Sequence, residues 1–372
     1  MARPLGPVRM KKTNPVTLVI GFVLCIFILY FLASPSGSAV TSKLPIRKSE
    51  PASHALSPPT SPFRKNAASG PKNPPPVTRY QLNNVTTTPT PIENREHVLI
   101  LTPMARFYQG YWDNLMQLNY PHDLISLAFI LPKNKEGNAA TVALQAQVTK
   151  TQQGSEAQRF KSVAILRQDF DAPLQSQDEA ERHKLEHQKA RRAAMSKARN
   201  SVLFTTLGPD ISWVLWLDAD IIESPPSLIQ DLAKHDQAVI APNCFQRYKD
   251  EQGKMAERPY DFNNWQDSDR ARELAAKMGP DEILVEGYQE LATYRALMAY
   301  MTTEDGPHYE IPLDGVGGTA LLVKAEVHRD GAMFPPFSFY HLIETEGFAK
   351  MAKRLGWQSV GLPNYKVYHY NE

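Results

Sequence analysis

Residues 95–372 predict an α/β fold, a mostly parallel central sheet flanked by helices. Two observations predict it. Compact aliphatic runs such as "HVLILTPMA" (97–105) and "LISLAFILP" (124–132) show no polar alternation, which marks strands buried on both faces. Polar, helix-forming stretches separate these runs, and strands separated by helices pair in parallel, with ligands bound at their carboxyl ends.

Ahead of that domain the chain divides sharply. Arg3, Arg9, Lys11 and Lys12 precede an uncharged run from Val16 to Ala33, close to the ~20 residues that cross a bilayer as a helix. A signal-anchor at 16–33 is expected, with the basic tail 1–15 in the cytoplasm; a cleaved signal peptide is the competing reading, but its apolar core spans only about 7 to 15 residues. Residues 34–94 carry Pro58-Pro59, Pro74-Pro75-Pro76 and Thr86-Thr87-Thr88 without apolar periodicity. Such a segment cannot bury enough surface to offset its ordering entropy, so it reads as an extended lumenal stem. Asn84-Val85-Thr86 is a glycosylation sequon, meaningful only on a lumenal stem.

Within 95–372, Asn134 to Thr151 is polar and Ala-rich, a loop and helix, and "SVAILRQDF" (162–170) is a third strand. The stretch 179–208 is helix-forming, with Ala190, Ala194 and Ala198 on one face and Gly208 after its end. Val214 to Leu217 is the next strand. Ser224 reads as the N-cap of the following helix with Pro225 at its first position, and "AVIAPNCF" (238–245) returns to strand.

With 42% hydrophobic residues and a net charge of +2, the chain has no basic surface suited to nucleic acid. Its two cysteines, Cys25 in the apolar run and Cys244 far downstream, define no disulfide framework, and neither thiol is a metal or nucleophile candidate.

Chemistry concentrates at "WLDAD". If the strand continues, Asp218 and Asp220 point the same way and Ala219 turns aside. Close carboxylates repel, and the remedies are protonation or a cation. Hard oxygen ligands suit Mg²⁺ or Mn²⁺, ions that bridge to phosphate oxygens, as a nucleotide-sugar transferase requires. The plain alternative is a surface turn. Gly315, Gly317 and Gly318 in "DGVGG" fit a turn needing positive φ or a loop that lets a sugar approach the backbone.

The stretches "RFYQGYWDNLMQLNYPHDLI", "KARN", "SWVLWLDADIIESPPSLIQDL", "RPYDFNNWQDSD", "ILVEGYQELATYR", "LDGVGGTALLVKAEVHRDGAMFPPFSFYHLIETEGFAKMAKRLG" and "GLPNYKVYH" resemble the fungal Golgi mannosyltransferases of glycosyltransferase family 62, the family of the mannan polymerase subunits. The resemblance covers nearly everything from His97 onward. It implies a GT-A nucleotide-sugar-binding fold that uses GDP-mannose and Mn²⁺, with Mg²⁺ an alternative. It further implies an α-1,6-mannosyltransferase building the mannan backbone of N-glycans on a mannose-oligosaccharide acceptor. The implied setting is a hetero-oligomeric complex with homologous subunits, in the Golgi membrane as a single-pass type II protein. A scaffolding subunit with little activity is the other reading.

By the same resemblance, Asp218, Asp220 and His369 hold the metal, while Thr102, Pro103, Arg199 and Asp218 lie around the nucleotide and its phosphates. Without the resemblance, His369 reads as a strand histidine packed on tyrosines and Arg199 as the partner of a helix acid. The implied transfer goes from an α donor to an α product, so it retains configuration and calls for a carboxylate that stabilises an oxocarbenium-like state. Asp314, Glu344 and Glu346 are the candidates, although acids in a helix's first turn also suit its dipole. Tyr260, Trp265 and Tyr288 could stack on an acceptor while Asp261 and Asn263 bind its hydroxyls; the alternative is a core role, above all for Trp265.

Overall fold

The computed structural model describes residues 77–169, 187–288 and 291–371. The expected tail, the Val16 to Ala33 span and residues 34–76 of the stem lie outside them, and no helix among the described residues is long and apolar enough to cross a membrane.

The chain runs through β1 (His97–Pro103), α1 (Gln109–Gln117), β2 (Ile125–Leu131), α2 (Lys135–Gln152), β3 (Ser162–Arg167), α3 (Gln188–Thr206) and β4 (Ile211–Leu217). It continues through β5 (Ile221–Glu223), α4 (Leu228–Ala233), β6 (Val239–Lys249), β7 (Met255–Pro259), β8 (Trp265–Gln266) and α5 (Asp269–Ala275). The remainder is β9 (Ala296–Leu297), β10 (Ile311–Leu313), β11 (Ala320–Lys324), α6 (Ala325–Arg329), α7 (Glu344–Arg354) and β12 (Ser359–His369).

One large sheet has the order β10-β12-β6-β11-β4-β1-β2-β3, with β5 on β12 and β7 on β6. Strands β3, β2, β1 and β4 are parallel neighbours, as are β6 and β12, while β11 runs antiparallel between β4 and β6. The unbroken apolar runs are explained by burial on both faces. Val98, Ile100, Trp213 and Leu215 enter one hydrophobic cluster, while their neighbours Leu99, Leu101, Val214 and Trp216 enter the other. Each such side chain contributes about 1.5–3 kcal/mol by leaving water.

Local chemistry sets several boundaries. Asn134 caps α2, accepting the Gly137 N–H at 2.7 Å. The expected cap at Ser224 is not formed: α4 starts at Leu228 after Ser227, and the Ser224 N–H and hydroxyl both donate to Asn114 Oδ1 at 2.9 Å. A buried partner on α1 has captured the capping group. Ordered contacts begin ahead of Arg95, the expected start of the domain. The Thr86 hydroxyl and Thr88 N–H each donate to buried Glu96 at 3.1 Å, and the Trp213 indole donates to the same carboxylate at 2.7 Å.

The reversed strand matters most for function. Because β11 enters antiparallel to β4, it delivers Thr319 and the preceding glycines to the carboxyl end of β4, where the Asp218 N–H donates to the Thr319 carbonyl at 3.0 Å.

Candidate active site

Beyond the end of β4, between Gln246 of β6, the end of β7 and the residues that lead into β11, a cavity of about 700 Å³ opens, walled also by α3 and the start of α7; Asp220 and His369 lie outside its lining. Asp218 lines it. The acids do not continue the strand: β4 stops at Leu217, and a turn closed by the Ile221 N–H on the Asp218 carbonyl at 3.1 Å carries Asp218, Ala219 and Asp220. Their proximity therefore comes from the turn and not from strand alternation.

The two acids are partnered differently. Asp218 Oδ1 accepts from Arg199 Nη2 at 2.9 Å. Burial pushes its carboxyl up to about 7, Arg199 works against that rise, and Asp220 and Glu344 add to it. Asp220 Oδ2 lies 2.9 Å from His369 Nε2, and its Oδ1 is buried without a partner. Burial disfavours a charged His369, yet the Asp220 contact outweighs it and holds the ring above its ordinary pKa. The ring also stacks on Tyr260, centroids 3.7 Å apart.

Arg199, only 2% exposed, is clamped between Asp218 and Glu344 Oε1, the latter at 3.2 Å. Its guanidinium lies 5.5 Å from the Trp216 ring and 5.6 Å from Phe334, and its Nη1 has no partner. Glu344 opens α7 with φ of 55°, a left-handed conformation costly for a residue with a side chain. Strain of this kind gathers at working sites, and Glu344 lines the cavity.

The other two candidate carboxylates are placed elsewhere. Glu346 is fully buried outside the cavity lining, accepting the Trp265 indole N–H at 2.9 Å and facing Arg192 at 3.4 Å. Burial raises its pKa, with Arg192 and Arg295 opposing. Asp314 is likewise not a lining residue. Burial pushes its carboxyl up, but hydrogen bonds from Lys353 at 2.6 Å and the Asp267 N–H at 2.9 Å hold it below the ordinary value. Helix periodicity explains Glu346, two residues past Glu344 and so on another face of α7.

Thr102 and Pro103 end β1 beside β4 but do not line the cavity; the Thr102 hydroxyl is engaged by the Tyr111 phenol at 2.5 Å. Trp265 is buried as a core anchor, with Arg295 3.6 Å from its ring centroid. Tyr260, Asp261, Asn263 and Tyr288 do line the cavity. Asp261 is already engaged, accepting from the Thr319 hydroxyl at 2.8 Å and the Asn263 N–H at 2.9 Å.

None of the three loop glycines has positive φ. Crowding requires them instead: a Cβ would lie 2.2 Å from Trp265 at Gly315, 1.8 Å from Asp261 at Gly317 and 2.5 Å from Arg199 at Gly318.

A hard cation can be tested against these donors. Among the described residues no three His, Cys, Asp or Glu side chains are gathered as a metal centre; Asp218 leans on Arg199 and Asp220 on His369. The donor chemistry fits all the same. Asp220 Oδ1 is an orphaned buried oxygen, and His369 Nδ1 lies 2.6 Å from the Tyr370 carbonyl. With its N–H on that carbonyl, the ring presents Nε2 as a ligand, the arrangement in which metal-binding histidines are held.

The Anp1 family profile matches residues 76–338. The chain belongs to the Anp1 family. It is 53% identical over 298 residues to mannan polymerase complex subunit MNN9 of Candida albicans, covering 80% of each chain. Against mannan polymerase complex subunit mnn9 of Schizosaccharomyces pombe the identity is 55% over 294 residues, covering 79% of this chain and 86% of that one. Among solved structures, mannosyltransferase PcManGT from Pyrobaculum calidifontis in complex with GDP-Man and Mn²⁺ aligns with a TM-score of 0.40 at 12% identity, over 78% of this chain and 60% of that one. A likeness at that level transfers nothing.

In this Anp1-family chain the cavity also contains residues that sequence reasoning passed over: Arg192, Gln246, Arg258 and Thr319. Arg258 stood in the quoted "RPYDFNNW" stretch, and its charge beside aromatics was a usable signal. Gln246 had none, because only sheet register brings it to His369.

Proposed function

We propose that this chain is a retaining, metal-dependent α-1,6-mannosyltransferase that uses GDP-mannose and works as a subunit of a Golgi mannan polymerase complex beside homologous subunits. The relation to mannan polymerase subunits supports the substrate class and the assembly. The observation that carries the chemistry is the Asp220–His369 pair at 2.9 Å with its orphaned carboxylate oxygen, at the carboxyl end of a parallel strand.

Asp218, Asp220 and His369 would hold Mn²⁺ or Mg²⁺, which when bound offsets the charge of the departing diphosphate. Arg199 keeps Nη1 for a phosphate oxygen while Asp218 and Glu344 fix its plane. Glu344 is the carboxylate best placed to stabilise positive charge on the sugar, being the one of the three candidates that lines the cavity. Tyr260 and Tyr288 offer ring faces to a mannose-oligosaccharide acceptor, with Asn263 at its hydroxyls. The Val16 to Ala33 run is proposed as the signal-anchor of a type II protein with this domain lumenal.

A scaffolding role is the second reading, favoured by Arg199 and His369 already neutralising both acids. The full chain, purified in detergent and given GDP-mannose and a mannose oligosaccharide with and without Mn²⁺, separates the two. Metal-dependent formation of α-1,6-linked product supports the transferase; no transfer by the chain, alone or with homologous subunits, supports the scaffold.

A further inference from the structure

We propose that Arg258 and Gln246 are positioning residues that fix the tautomer and aim of the His369 imidazole; this rests on reading Asp220 and His369 as cation ligands. The three residues form one row across adjacent strands: Gln246 on β6 is the register partner of Arg258 on β7 and of His369 on β12. Arg258 grips Gln246 Oε1 with two donors, Nε at 3.0 Å and Nη2 at 2.9 Å. A guanidinium only donates, so the amide cannot flip, and its nitrogen must face β12. There Gln246 Nε2 donates to the Tyr370 carbonyl at 2.9 Å.

That carbonyl also lies 2.6 Å from His369 Nδ1, while Gln246 Nε2 stands 3.3 Å from the same ring nitrogen. Both N–H groups point at one oxygen with two lone pairs. Nδ1 therefore carries a proton whatever partner Nε2 has, and Nε2, which meets Asp220 Oδ2 at 2.9 Å, is the ring nitrogen left to serve a cation. Arg258 Nη2 also reaches Asn371 Oδ1 at 3.2 Å, which pins the segment that follows the ligand. Sheet register thus holds the ring from behind, and Tyr260 covers its face.

Removing Arg258 gives opposite signs under the two accounts of it. As a bystander charge it repels a cation, and Arg258→Gln would tighten Mn²⁺. As a positioning residue its loss frees Gln246 to flip, and Mn²⁺ weakens about 10- to 100-fold, the usual effect of losing a group that orients a ligand. The experiment is an electron paramagnetic resonance titration of Mn²⁺ into the full chain, with and without GDP, for wild type, Arg258→Gln, Gln246→Met and Asp220→Asn, alongside melting curves. Arg258→Lys, which keeps the charge without the fork, covers the case of an unfolded Arg258→Gln and is expected to lose part of the affinity. Weaker Mn²⁺ in both Arg258→Gln and Gln246→Met at retained fold supports the proposal. Wild-type or tighter Mn²⁺ in these variants, with binding lost in Asp220→Asn, overturns it and leaves the cation site standing. A wild-type chain that binds no Mn²⁺ overturns the cation site and this role with it.

Discussion

Glu344 accepts a hydrogen bond from Arg199 at 3.2 Å while its own backbone is held at φ of 55°. The strain aims a carboxylate into the cavity. Glu344→Gln keeps the shape and removes the charge, so kcat should fall about 100- to 1,000-fold, the range measured for groups that stabilise charge in a transition state, with the melting temperature nearly unchanged. Single-turnover rates beside melting curves check this.

Glu346 should behave in the opposite way. Glu346→Ala takes the ion-pair partner from buried Arg192 and leaves it only the hydrogen bond to Asn263, which costs about 3–5 kcal/mol of stability, while the molecules that remain folded keep their transfer rate. Denaturant unfolding and activity per folded molecule give the two numbers. Asp314→Asn, outside the cavity, should keep both stability and transfer close to wild type.

The contrast among these acids shows how far the sequence reaches. The paired strands β1, β2 and β4 were legible because a strand buried on both faces writes an unbroken apolar run. Asp218 and Asp220 were legible because carboxylates following such a run are exceptional. The grouping of Asp314, Glu344 and Glu346 was not, since it depends on where α7 faces and on Lys353 and Arg192 reaching across from distant segments. The glycines were read as a positive-φ turn or as a loop open to a sugar; the positive φ is not there, and side chains from remote parts of the chain crowd all three positions. Ser224 misled for the same reason, because Asn114 on α1 outcompetes the local cap.

Stability should depend on pH through His328. Its buried ring lies with Nδ1 2.8 Å from the Ala332 carbonyl, and Nε2 accepts the Trp216 indole N–H at 3.2 Å. Burial pushes its pKa down from 6.5 to about 4. The folded form therefore refuses a proton that the unfolded form takes up, and stability is complete above 6.5 and lost as pH falls from 6.5 toward 4. The loss is about 3 kcal/mol. His328→Phe should flatten this part of the profile, as read from denaturant midpoints across that range.

Truncation should locate the start of the folded body. Removing residues through 84 leaves the Glu96 contacts intact and should preserve a cooperative melt at the full-length temperature. Removing residues through 94 deletes Thr86 and Thr88, strips two donors from Glu96 and should lower that temperature.

The central claim is that Asp220 and His369 form a cation site serving a nucleotide diphosphate, and calorimetric titration of GDP with and without Mn²⁺ tests it most directly. Wild type should bind GDP much more tightly with Mn²⁺. Asp220→Asn and His369→Ala should lose that dependence, and the double variant should lose little more, as expected of residues serving one ion. If Asp220→Asn binds GDP with undiminished Mn²⁺ dependence, the cation site is not there.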